Sequence, residues 1–146
     1  MKKIIILGAS GGCLDIISLL EEINKDKQKY KILGIFDDKI KKIRKIKKYK
    51  ILGKFSDAEK LNKEIYFATA IGNYNNLNQI DKIIKKLNIN KNKFPKLIHP
   101  NASISQYSKI GNGTIIFQNT TIGINVNIGD FVNILPGSVI NHDCEI

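Results

Sequence analysis

The chain reads as α/β plus β-solenoid: a small parallel α/β domain over residues 1–97, then a parallel β-solenoid over residues 98–146. Three observations predict this. Nine isoleucines, from Ile98 through Ile104, Ile110, Ile116, Ile122, Ile128, Ile134 and Ile140 to Ile146, stand in one unbroken six-residue phase. A small or thin side chain lies two positions before each from Ile104 on, in the series Ala102, Ser108, Thr114, Thr120, Val126, Val132, Ser138 and Cys144. Upstream, short β-branched runs alternate with helical apolar spacings, the mark of a parallel sheet flanked by helices.

A period of six fits neither a helix, near 3.6, nor one alternating strand, at 2. It fits a coil of three short strands, each supplying an inward isoleucine and an inward small residue before turning a corner. Isoleucines eighteen residues apart then stack, Ile98 over Ile116 over Ile134 and Ile104 over Ile122 over Ile140.

In the first domain, Lys3–Leu7 predicts a buried strand, Gly8-Ala9-Ser10-Gly11-Gly12 a turn, and Leu14, Ile17 and Leu20 a helix. Such a turn aims backbone N–H groups and a helix N-terminus at a phosphate. Tyr30–Phe36 predicts a second strand ending in Asp37-Asp38, and Ser56-Asp57-Ala58-Glu59 has the spacing of a capping box that opens a helix. Ile65–Ala70 predicts a further strand closed by Ile71-Gly72-Asn73, followed by a helix with the stripe Leu77, Ile80, Ile83, Ile84 and Leu87. Open α/β sheets bind ligands at the carboxyl ends of their strands, and Gly8–Gly12, Asp37-Asp38 and Gly72-Asn73 fall at those ends. A nucleotide phosphate is the expected occupant. NAD is the rival, with Asp37 on the ribose, but the turn reads G-x-x-G-G and lacks the G-x-G-x-x-G spacing.

Charge is unevenly placed. Residues 1–97 hold 23 Lys+Arg against 10 Asp+Glu, a net +13, whereas residues 98–146 carry −2. The run from Lys39 to Lys50 is the densest. Such a run can bind nucleic acid or anionic lipid. Lysine, isoleucine and asparagine are enriched together here, as AT-biased codons produce, so the run reads as solvated surface that also attracts an anionic nucleotide. Nucleic acid is not an expected partner. No apolar run approaches bilayer length, and MKKIIILGAS breaks into a glycine turn too early for a secretory segment. Cys13 and Cys144 make neither a disulfide framework nor a metal spacing. The expected compartment is cytoplasmic.

The repeat is the hexapeptide pattern of the left-handed parallel β-helix, and the first domain is Rossmann-like. Joined, they resemble the bacterial sugar O-/N-acetyltransferases of the PglD/NeuD type. The resemblance covers the whole chain and is carried by Ile6-Leu7-Gly8-Ala9-Ser10-Gly11-Gly12, Phe36-Asp37-Asp38, Ala70-Ile71-Gly72-Asn73, Leu97-Ile98-His99-Pro100-Asn101-Ala102 and Ile140-Asn141-His142-Asp143-Cys144. It implies transfer of acetyl from acetyl-CoA to an amino or hydroxyl group of a nucleotide-activated sugar, often a UDP-4-amino-4,6-dideoxy sugar. It also implies a homotrimer. His142 would be the general base and Asp143 its support, with the UDP-sugar on Gly8, Ala9, Ser10, Gly11, Gly12, Asp37, Asp38, Gly72 and Asn73. The chemistry suits these types, because an attacking amine must lose a proton and an imidazole oriented by a carboxylate accepts it. Cys144 and His99 are read as structural. The family commonly has histidine where this chain has Gly12. Relatives also continue for several coils beyond the point matching Ile146, and those coils supply most of the acetyl-CoA site. The alternative expectation is therefore a shortened, non-catalytic module that binds or assembles around a sugar nucleotide.

Overall fold

The computed structural model describes residues 1–39, 44–61, 64–71 and 79–146. Its first domain is a five-stranded sheet that runs, edge to edge, Lys45–Ile46 (β3), Tyr49–Gly53 (β4), Tyr30–Phe36 (β2), Lys2–Leu7 (β1) and Ile65–Thr69 (β5). The central strands β1 (Lys2–Leu7), β2 (Tyr30–Phe36) and β5 (Ile65–Thr69) pair in parallel. Alternation along β1 divides the core. Ile4 and Ile6 pack beneath helix α1 (Gly11–Asp26) with Cys13, Ile16, Ile17 and Leu20. Ile5 and Leu7 face the other way, toward Phe67, Phe94 and helix α2 (Gln79–Lys86), which contributes Ile80 and Ile84. Leu77, expected on that stripe, lies outside the described residues.

Two elements differ from the sequence reading. Within the lysine-rich run, β3 (Lys45–Ile46) and β4 (Tyr49–Gly53) form an antiparallel hairpin, and β4 adds in parallel to β2. The segment beginning at Ser56 is a short 3₁₀ helix, Phe55–Lys60, already capped upstream because the Asp57 carboxylate accepts the Lys54 N–H at 3.0 Å.

The second domain is a three-faced prism built of two-residue strands. One face stacks β6 (Leu97–Ile98), β9 (Ile115–Ile116) and β12 (Asn133–Ile134); a second stacks β7 (Ser103–Ile104), β10 (Thr121–Ile122) and β13 (Val139–Ile140). The third pairs β8 (Lys109–Ile110) with β11 (Asn127–Ile128) and bridges Asn127 to Glu145. The registers Ile98↔Ile116↔Ile134 and Ile104↔Ile122↔Ile140 are the expected stacks. With the small residues Ala102, Val126, Val132 and Cys144 they fill the prism interior. This is the left-handed β-helix architecture the repeat predicts.

From the third corner of the first coil onward, Gly113, Asn119, Asn125, Phe131, Gly137 and Asp143 each adopt a left-handed backbone, φ between +57° and +73°. The first domain packs on the β6-β9-β12 face and the two corners that flank it. Ile115 and Leu97 join the core under α1, while the Phe131 ring meets Phe94 edge-on at 5.1 Å. Lys91 also pairs with Asp130 at 2.9 Å.

Candidate functional site

The chain carries two separate groupings of the expected residues. The first is the turn between β1 and α1. Gly8 has φ +105°, and a Cβ there would sit about 3.1 Å from the Ala70 backbone, so the close approach of the turn to the end of β5 requires glycine. Asp37 ties the turn to the end of β2: one carboxylate oxygen accepts the Ala9 N–H at 2.7 Å and the other the Lys39 N–H at 2.8 Å. Asp38 accepts the Phe55 N–H at 2.8 Å. The two aspartates therefore shape the loops at the carboxyl edge of the sheet.

Ser10 is the N-cap of α1, yet its hydroxyl makes no cap; it donates to the Ala70 carbonyl at 3.3 Å. No acidic side chain occupies the first turn, and a Cβ on Gly11 would meet only open space. A helix N-terminus with uncapped donors and clear space in front is an anion-binding geometry. Gly72 and Asn73 lie outside the described residues.

The second grouping is the corner of the third coil. His142 Nδ1 and Asp143 Oδ2 are 2.8 Å apart, and Asp143 Oδ1 accepts from Asn125 Nδ2 at 3.2 Å. The hydrogen bond from His142, seconded by that from Asn125, holds the Asp143 carboxyl below the usual carboxylate range. With Nδ1–H donating to a carboxylate, the imidazole presents Nε2 as its basic nitrogen. Both side chains are more than 60% exposed, so Nε2 is open to a substrate. The backbone is fixed from below, as Asp143 N–H donates to the Ile124 carbonyl at 3.1 Å. A Cβ on Gly123 would stand 2.8 Å from His142 N, so the corner rests directly on that glycine.

Asn125 and Gly123 were not singled out from the sequence. The signal was there, because each lies eighteen residues before a member of the segment Asn141–Asp143 or its neighbour in the same corner. Cys144 is half-buried in the prism, with its thiol 3.6 Å from the His142 carbonyl. His99 is buried, its Nδ1 accepting the Asn101 N–H at 3.0 Å.

The two groupings do not meet within the chain. The first domain covers one prism face and its flanking corners, and the His142 corner is the vertex opposite that face. Among the described residues, no group of three or more His, Cys, Asp or Glu is arranged to hold a metal. No described helix is long and apolar enough to cross a membrane.

Residues 3–87, more than half of the chain, match the family model of the PglD N-terminal domain. The chain belongs to this family. No curated protein matches it by sequence. Among solved structures, the acetyltransferase domain of PglB from Neisseria gonorrhoeae superposes with a TM-score of 0.79 at 22% identity, covering 99% of this chain and 67% of that one. A second structure of that domain holds acetyl coenzyme A. PerB from Caulobacter crescentus, in complex with CoA and GDP-perosamine, superposes with a TM-score of 0.79 at 20% identity, covering 99% of this chain and 65% of that one. The PglD-family chain thus shares its fold, an α/β domain followed by a left-handed β-helix, with these proteins and spans about two thirds of their length.

Proposed function

We propose that the protein transfers acetyl from acetyl-CoA to the amino group of a nucleotide-activated sugar. The observation that carries this reading is the His142–Asp143 pair, 2.8 Å apart on an exposed corner with Nε2 free to take a proton. Acetyl-CoA would supply the thioester carbonyl. The sugar nitrogen forms the new C–N bond, His142 Nε2 receives the proton the nitrogen sheds, and the C–S bond breaks with its electron pair leaving on the CoA thiolate, which takes the proton back from the imidazolium. Asp143 stabilises the resulting imidazolium, and Asn125 keeps the carboxylate in place. No covalent enzyme intermediate is required, so neither cysteine is called on. Tyr107 and Ile124 lie exposed at the same corner, and they offer apolar surface to the pantetheine arm.

The diphosphate belongs at the N-terminus of α1, with Gly8–Gly12, Asp37 and Asp38 around it and Gly72 and Asn73 assigned to the same cradle. We assign UDP as the nucleotide and a 4-amino-4,6-dideoxy hexose as the sugar, while PerB takes a GDP-linked sugar in its complex. Because the cradle and His142 sit on opposite sides of one chain, a complete site calls for the cradle of one copy and the corner of another. A homotrimer supplies that arrangement. Exposed Leu135 and Val139 on the third coil favour such association.

The test is calorimetry followed by an acetylation assay. UDP- or GDP-linked amino sugars and acetyl-CoA should bind, and NAD should not. NAD binding without nucleotide-sugar binding would overturn the assignment. Nucleotide-sugar binding without acetyl-CoA binding would reduce the chain to a sugar-nucleotide-binding module.

A further inference from the structure

The two ends of the parallel sheet differ in charge. At the carboxyl edge, beside the nucleotide cradle, Lys39, Lys54 and Lys60 are balanced by Asp37, Asp38 and Asp57. At the amino edge, Lys2 and Lys3 open β1, Lys27 and Lys29 stand between α1 and β2, and Lys31 lies near the start of β2. Lys93, at the end of the 3₁₀ turn Lys91–Lys93, joins them. The acids beside these six lysines are Asp26 and Glu64. An abundance of lysine that came from codon usage alone would load both ends of the sheet alike. The excess of positive charge instead gathers at the end away from the cradle, where it cannot hold the nucleotide.

The fold crowds these lysines together. The Lys2 N–H donates to the Lys29 carbonyl at 2.7 Å, and Lys3 is the register partner of Lys31 on the neighbouring strand. Like charges on paired strand positions are destabilising, so the cluster is kept at a cost to the fold. Toward β5, the Nζ atoms of Lys2 and Lys93 lie 4.6 Å and 5.2 Å from the centre of the Tyr66 ring. With Met1, Lys3 and Glu64 they line an open cleft of about 360 Å³. The Met1 side chain is 70% exposed there.

A cationic surface that reaches across three strands attracts an extended anion. Its chemistry says which one. Arg44 is the single arginine of the chain, so this edge lacks the planar fork that grips nucleic-acid phosphates and base edges in pairs. Compact ammonium groups around an exposed methionine and a tyrosine ring suit a bilayer interface, where headgroup phosphates meet acyl chains. A nucleic-acid backbone offers the methionine nothing.

We propose that the amino edge of the sheet is a docking surface for an anionic lipid bilayer. Headgroup phosphates lie against Lys2, Lys3, Lys29, Lys31 and Lys93, and Met1 enters the interface without any segment crossing it. The cradle, at the opposite edge, stays open to nucleotides in solution.

The test is co-sedimentation of the full chain with vesicles of phosphatidylcholine alone and of phosphatidylcholine mixed with phosphatidylglycerol. The chain should pellet with the anionic vesicles, remain in solution with the neutral ones, and leave the anionic ones at high salt. Lys3→Gln combined with Lys31→Gln should weaken that binding about twentyfold, from roughly fivefold for each lysine. Both side chains are exposed, so the fold is kept, as circular dichroism would verify. Lys54→Gln combined with Lys60→Gln removes the same charge at the carboxyl edge and should leave vesicle binding unchanged. The proposal fails if the wild type ignores anionic vesicles or binds neutral ones equally well. It also fails if the amino-edge variant binds like wild type or no worse than the carboxyl-edge variant. Duplex DNA that displaces the vesicles at equal phosphate concentration would make nucleic acid the partner and overturn it too.

Discussion

At the scale of single residues, the proposed reaction turns on His142, and its removal would separate chemistry from binding. His142→Ala should lower the acetylation rate about 10²–10⁴-fold, the usual contribution of a positioned general base. Nucleotide-sugar affinity should hardly move, because the nucleotide is held at the Gly8–Gly12 cradle and the base meets only the reacting amine; an unchanged rate in steady-state assays would remove the general-base role. Asp143→Asn should be milder, since an amide keeps the left-handed corner but not the charge. The His142 hydrogen bond lowers the Asp143 pKa, so the carboxylate is ionised throughout the neutral range. Its pairing is present above the ordinary aspartate value, near 3.9, and is lost only as pH falls through the lowered one. An acid limb from Asp143 should therefore lie below that ordinary value. The motif Asn141-His142-Asp143-Cys144 made this pair legible in the sequence. Asn125 was not legible on its own, because one asparagine among many acquires meaning only when it is projected eighteen residues forward onto Asp143.

At the scale of elements, support for the site comes from the coil beneath it. In Gly123→Ala the new methyl would press on the His142 backbone, whose nitrogen is 2.8 Å from that position. The expected result is a fall in acetylation rate with nucleotide-sugar affinity unchanged. In the prism core, Ile116 is fully buried between Ile98 and Ile134. Ile116→Ala should destabilise the fold by about 2–5 kcal/mol, read as a lowered midpoint in urea. The β-helix strands were readable because one phase governs them all. The hairpin Lys45–Gly53 was not, since its lysines dominate the composition and only Ile46, Tyr49 and Ile51 pack against the α1 core. Phe131 is a different exception. A left-handed backbone at φ +59° is unfavourable for an aromatic residue, but the ring is held against Phe94 in the core under α2.

At the scale of the whole molecule, the two domains are joined by packing and by the ion pair between Lys91 and Asp130. Asp130 bonds Lys91 and accepts the Asn112 N–H at 2.7 Å, and these contacts, that with Lys91 first, lower its pKa. Their stabilisation is present above the ordinary aspartate value and is lost as pH falls through the lowered one. Partial exposure keeps it below about 1 kcal/mol. Asp130→Asn should lower the melting temperature slightly at pH 7 and make no difference at pH 2, as followed by circular dichroism. Light scattering on the wild-type chain should report an assembly of three copies, and a monodisperse monomer at high concentration would count against it.

The eighteen-residue coil also governs which insertions and deletions the β-helix can absorb. Removing one whole coil, such as residues 109–126, lets Ile104 continue into Ile128-type positions with inward and outward phases preserved, and it moves the His142 corner along the prism by about 4.8 Å. Removing six residues keeps every isoleucine inward but rotates all that follows by one face. His142 would then leave the vertex opposite the α/β domain for one of the two vertices beside it. Losing one residue puts every later isoleucine out of phase and empties the core. Length variation in this protein is therefore quantised, with six residues conserving the fold and eighteen needed to conserve the direction in which the base points.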